Sequence, residues 1–95
     1  MKKYEAMFIV KPDSSEEEKK TIFGQINDTV TKNKGDVTYA AVWSERRKLI
    51  FPIKKYHEGV YYLMNFTLDP AMVVEIRRLY KLNENIIRVL ITSKE

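Results

Sequence analysis

The sequence predicts an α+β domain in which a four-stranded antiparallel sheet carries two helices on one face. Three observations predict it. Four short runs of strand formers occur, two longer segments repeat apolar residues at helical spacing, and they alternate in the order strand, helix, strand, strand, helix, strand. Both helical segments are apolar on one side only, so both cover the same sheet face. Right-handed crossovers then put the first and third strands in the centre. This is the ferredoxin-like βαββαβ arrangement.

The first strand is YEAMFIV, residues 4–10, closed by Lys11-Pro12. Tyr4, Ala6, Phe8 and Val10 share one face, and Glu5, Met7 and Ile9 the other. The first helix follows. Asp13, Ser14 and Ser15 are candidate N-caps, and Ser15 with Glu18 fits a capping box. Glu16, Glu17 and Glu18 complement the helix dipole. Ile22, Phe23, Ile26 and Val30 form its buried stripe, and Gly35 is expected to stop it.

The second strand begins near Asp36 and continues through RRKLIF. Its phase stays open: Val37, Tyr39, Ala41 and Trp43 compete with Ala40 and Val42 for the inward side, and a bulge would reconcile them. Pro52 donates no ladder hydrogen bond, which assigns this strand to a sheet edge. KKYHEG is expected to be the hairpin loop and GVYYLMNFTL the third strand. Tyr62, Met64, Phe66 and Leu68 face one way, and Tyr61, Leu63 and Asn65 the other. Asp69-Pro70 caps and opens the second helix. Its buried stripe is Met72, Val73, Ile76, Leu79 and Tyr80, with Arg77, Arg78 and Lys81 outward. In the last strand, residues 85–92, Ile87, Val89 and Ile91 oppose Arg88, Leu90 and Thr92. The sheet face away from the helices therefore carries Glu5, Met7, Ile9, Tyr61, Leu63, Asn65, Arg88 and Leu90, more apolar than a free surface favours.

The 95 residues are expected to form one domain, 1–95. A chain this short buries about two-thirds of its unfolded surface, which leaves no room for a deep substrate cavity. No apolar run approaches the roughly 20 residues that span a bilayer. The basic-then-apolar start reads as a strand rather than a signal peptide. With no cysteine there is no disulfide framework and no thiolate chemistry, and a reducing, cytoplasmic setting fits. The net charge of +4 is uneven: residues 1–36 hold seven basic and seven acidic groups, whereas residues 37–95 hold ten and six. Such a bias suits a polyanion partner.

Chemistry is sparse. The one histidine, His57, is expected in the hairpin loop with no nucleophile beside it. No Cys/His cluster suits zinc, and the three glycines, at 24, 35 and 59, form no phosphate loop. Glu16, Glu17 and Glu18 diverge around a helix axis and do not converge on an ion. Small acyl-phosphate hydrolases share the topology but need an arginine cradle after the first strand, where this chain has KPDSSEEE. The expectation is a protein with no catalytic residue, metal or other cofactor.

The RNA-recognition motif also has this topology and stacks bases on aromatics of its central strands. Here Tyr61 is out of phase with that pattern, and the first strand offers Glu5, Met7 and Ile9 instead, so no stacking platform is predicted. The cations lie elsewhere: Lys2 and Lys3 before the first strand, Arg46, Arg47 and Lys48 on the second, Lys54 and Lys55 past its proline, and Arg88 on the last. Lysines at an edge also block strand addition, so Lys54 and Lys55 read two ways. Planar guanidinium groups, as in Arg46-Arg47, suit phosphate better than simple repulsion. Contacts of this kind would recognise backbone shape rather than base sequence.

These residues resemble a known family along essentially the whole chain. The opening K-K-Y-E, the strand ending in Lys11-Pro12, the stretch Arg46-Arg47-Lys48-Leu49-Ile50-Phe51-Pro52-Ile53-Lys54-Lys55 followed by Glu58-Gly59-Val60-Tyr61-Tyr62, and Asn85-Ile86-Ile87-Arg88 are similar to bacterial small-subunit ribosomal protein six, bS6. Ile50 and Phe51 stand where that family more often has Ala-Tyr, and Ser44 where glycine often precedes the basic pair. The resemblance implies a structural constituent of the small ribosomal subunit that binds the central domain of its RNA. It also implies a heterodimer with the small-subunit protein numbered eighteen, no small-molecule substrate, and a place in the cytoplasmic ribosome. Family RNA contacts carry over to Lys2, Arg46, Arg47 and Arg88. Lys48 and Lys54, on the same basic margin, complete the expected RNA-binding set. Strand alternation assigns Tyr61 and Leu63 to the protein partner. Two other readings rest on the same chain: a protein-interaction module of this fold with no RNA role, and a small-molecule regulatory domain or enzyme, which topology alone suggests.

Overall fold

The computed structural model describes residues 1–12 and 14–94. Strands β1 (Lys2–Val10), β2 (Asp36–Ile53), β3 (Tyr56–Leu68) and β4 (Ile86–Ser93) and helices α1 (Glu16–Lys32) and α2 (Val73–Leu82) follow in the expected order. All pairings are antiparallel, in the order β2-β3-β1-β4, with β1 and β3 central and β2 at an edge. Both helices cover one face, as a ferredoxin-like fold requires.

Local chemistry explains the helix ends. Ser15 caps α1, its hydroxyl accepting from the Glu18 N–H at 3.1 Å; Asp13, the first candidate cap, lies outside the described residues. At the other end the left-handed residue is Lys34, with φ 67°, and not Gly35. Lys34 N–H donates to the Thr31 carbonyl and Gly35 N–H to the Val30 carbonyl, the two bonds of a Schellman motif. Gly35 is needed for a different reason: a Cβ there would lie 2.7 Å from both Val30 Cγ1 and the Thr67 carbonyl oxygen. Asp69 accepts from Ala71 N–H and opens a 3₁₀ turn, Pro70–Met72, that leads into α2.

The core lies between the helices and the inward sides of β1 and β3. Ala6, Phe8, Ile26, Val30, Met64, Leu68 and Ile76 are fully buried there. Phe8 meets Tyr80 edge-on at 4.8 Å between centroids, and Phe23 stacks on Tyr62 at 4.3 Å. Both tyrosines keep a partner for the hydroxyl: Tyr80 donates to the Ile26 carbonyl at 2.8 Å and Tyr62 to Asn27 Oδ1 at 3.0 Å. Burial holds both phenols above their ordinary pKa.

The open phase of β2 resolves through a bulge. Val37 pairs with Phe66, then the register shifts before Tyr39 pairs with Asn65 and Ala40 with Met64. Val37 and Ala40 therefore both pack on the core, although three residues apart, and Tyr39 turns outward. A second irregularity sits at the start of β4. Ile9 pairs with Arg88 but Val10 with Ile86, so Ile86 rather than Ile87 joins the core cluster.

Beyond Val10 and Val60 the sheet thins to two strands. This arm is held by Arg47 opposite Gly59, Lys48 opposite Glu58 and Ile53 opposite Tyr56. Between the last two pairs, Leu49 to Pro52 face only His57, as a proline without an N–H allows. The expected six-residue loop is in fact a two-residue turn, Lys54-Lys55, and His57 is a strand residue. Both lysines have positive φ, 49° and 72°, the left-handed pair that matches strand twist in a tight hairpin.

Candidate nucleic-acid interface

Pairing register orders the helix-free face into rows. One row runs Ala41, Leu63, Met7, Leu90; the next toward the arm runs Ser44, Tyr61, Ile9, Arg88. Tyr61 and Leu63, expected at a protein partner, thus sit side by side on this face and are half-buried, with Leu90 exposed beside them. Ile9, expected in the open, is buried to 8% exposure. The arm accounts for this: Leu49 and Ile53 line one depression with Ile9, Tyr61 and Arg88, and a Cβ on Gly59 would lie 2.3 Å from Ile9 Cγ2. The ribbon therefore closes over the end of β1.

The predicted cations divide into two groups. Arg46, Arg47, Lys48, Lys54 and Arg88 are exposed and gather at the arm end. Lys2 is exposed but pairs with Leu68 at the opposite end of β1, about 27 Å from Val10 at ~3.4 Å per residue. Within the arm group, environments differ. Arg46 meets Glu58 at 2.9 Å in an exposed ion pair worth ~0–1 kcal/mol. The Arg47 guanidinium lies 4.7 Å from the Trp43 ring centroid and 5.6 Å from that of Tyr61, and the two rings are 5.7 Å apart. Stacking of this kind restricts the arginine to few rotamers while its charge stays exposed. Lys48 and Lys55 flank a depression with His57 and Glu58.

Two residues escaped the sequence reading. Trp43, 53% exposed, joins Tyr61 and Arg47 because the β2 register shifts after Val42, which periodicity alone does not reveal. Lys81 read as a cation at a helix C-terminus, yet it lines one depression with Lys54 and Arg88. Among the described residues no three His, Cys, Asp or Glu side chains converge on a metal site, and no helix is long and apolar enough to cross a membrane.

Fold and site together define a ferredoxin-like α+β protein with a cationic arm at one sheet edge and an apolar helix-free face. The model of the family "Ribosomal protein S6" matches residues 3–93, and the chain belongs to that family. It is thus a protein of the bacterial small ribosomal subunit, located in the cytoplasmic ribosome. It is 40% identical over 91 residues to small ribosomal subunit protein bS6 of Thermoanaerobacter pseudethanolicus, covering 96% of this chain and 95% of the relative. The Dictyoglomus turgidum protein of the same name is 38% identical over 95 residues, covering 100% and 97%. The crystal structure of 30S ribosomal protein S6 from Thermotoga maritima superposes with a TM-score of 0.89 at 28% identity, over 98% of this chain and 87% of that one.

Proposed function

We propose that the protein acts as a non-catalytic assembly component. It would bind the central domain of small-subunit RNA through phosphates along the arm, together with the small-subunit protein numbered eighteen on the helix-free face. The observation that carries this reading is the arm itself. A tight ribbon at a sheet edge exposes Ile50 to 91% and Phe51 to 77% while grouping five cations around its base and tip. Exposed apolar residues beside unburied positive charge suit joint contact with a protein and a phosphate backbone. Arg46, Arg47, Lys48, Lys54 and Arg88 are assigned to RNA, and Tyr61 and Leu63 to the protein partner. Lys2, at the far end of the sheet, is assigned a separate RNA contact.

The test is binding to the RNA–partner assembly across a salt series. Each phosphate contact adds about 0.7 to 0.9 to the slope of log affinity against log salt. Replacing Arg46 and Arg47 by alanine lowers both affinity and slope with the melting temperature nearly unchanged. Wild-type binding by the double variant removes both residues from the interface. A pulldown treated with ribonuclease addresses the protein-only alternative, under which all partners survive digestion.

A further inference from the structure

We infer that Lys54, Lys81 and Arg88 form a single seat for one backbone phosphate of RNA. This rests on the RNA-binding reading above and adds Lys81 to it. The three cations come from three separate elements: the hairpin turn, the last turn of α2, and β4. They line one surface depression of about 420 Å³, whose apolar side is supplied by Ile86, Ile87 and Val89 and which no carboxylate lines. Among the described residues none of the three forms an ion pair, whereas Lys19, Arg46, Arg78 and Lys94 each meet a glutamate.

Lys81 alone has an ordinary explanation, because a cation near a helix C-terminus is favoured. That does not explain why two further cations converge on it. Three like charges around one hollow repel, and among the described residues no ion pair offsets them. The turn places the first of the three cations. Lys54 and Lys55 both occupy the left-handed region, where asparagine and glycine are preferred and a lysine Cβ is strained. Here the turn brings Lys54 to the hollow lined by the end of α2 and the start of β4. An anionic tetrahedral group in the hollow removes the repulsion and gives all three cations one partner. A phosphodiester is the occupant favoured by the proposed RNA-binding set, since Lys54 and Arg88 belong to it and both line this hollow.

The experiment compares Lys81→Gln with Lys20→Gln, an exposed lysine on α1 that makes the same charge change. Both full-length variants are titrated with the RNA–partner assembly across a salt series. The same two variants, with wild type, are separately titrated with inorganic phosphate while the Ile87 and Arg88 backbone amides are followed by NMR. Lys81→Gln is expected to lower the RNA salt slope by about 0.7 to 0.9 and to abolish a saturable phosphate shift at those amides. Lys20→Gln is expected to leave the shift intact and the slope near wild type. An unchanged slope for Lys81→Gln together with no Lys81-dependent phosphate shift, with Arg46 and Arg47 still required for RNA, overturns the seat and leaves the RNA reading standing. Phosphate shifts that depend on Lys81 without any change in RNA slope overturn the RNA occupant. If the wild-type chain binds no RNA in any salt, the RNA reading and this occupant fall together.

Discussion

The helix-backed body of the sheet and the two-stranded arm are built from similar residues to opposite ends. In the body, Phe8 is fully buried, edge-on to Tyr80, and every strand residue of β1 from Tyr4 to Val10 has a neighbour on both sides or a bulge that replaces one. In the arm, Phe51 is 77% exposed and Leu49 to Pro52 lie outside the regular ladder. A two-stranded ribbon is marginally stable alone. The difference teaches that stability resides in the body, while the arm trades packing for reach and charge.

The sharpest way to break that contrast is to truncate both phenylalanines. Phe8→Ala is expected to lower unfolding free energy by about 3–5 kcal/mol in denaturant melts, and Phe51→Ala by about 0.5 kcal/mol or less in the isolated chain. Equal losses would mean that the arm is part of the core.

Alkaline titration probes the body alone. Burial raises the Tyr80 phenol, with the neighbouring Tyr62 adding to it, and burial raises Tyr62 despite its hydrogen bond to Asn27. A raised folded pKa favours the neutral phenol in the native state. The stabilisation is therefore full below the unfolded value near 10 and is lost as pH rises beyond it. Thermal melts should fall steeply above that pH, and less steeply in Tyr80→Phe. A parallel decline in both would remove Tyr80 as the cause.

The junction between the regions is tested next. Gly59→Ala sets a Cβ against Ile9 and is expected to cost about 1–3 kcal/mol. Combining it with Ile9→Val, which removes Cδ1 and leaves Cγ2, should relieve little. Ile9→Ala, which removes Cγ2, should relieve most of the added cost, a coupling that a double-mutant cycle measures. The smallest effect lies at the tip. Replacing Lys54-Lys55 by Asn-Gly suits the left-handed turn and is expected to raise stability by about 0.5–1 kcal/mol. The same change should weaken RNA binding, so a gain in stability with no loss in binding would detach the turn from function.

Much of the body was legible in the chain. The stripe Ile22, Ile26 and Val30 and the alternation Tyr62, Met64, Phe66 and Leu68 are local periodicities, and each ends in the core as written. The Ser15 cap needs only residues three apart. The site was less legible. Lys81 and Lys54 are 27 positions apart in sequence, and no spacing rule joins them. Trp43 meets Arg47 and Tyr61 only because a register shift turns β2, and the Lys54-Lys55 turn shortened a loop that composition made look longer.

By itself, the sequence determined the order of helices and strands, the apolar faces of α1, β1 and β3, that β2 is an edge, and that the second half is cationic. These follow from spacing, capping and composition, which act over a few residues. Tertiary structure alone decided where the bulges fall, that the arm closes over Ile9, that Lys2 is remote from the arm cations, and that Lys54, Lys81 and Arg88 surround one hollow. Those outcomes depend on strand register and on how the arm lies against the body, and a one-residue slip in either would change which side chains meet.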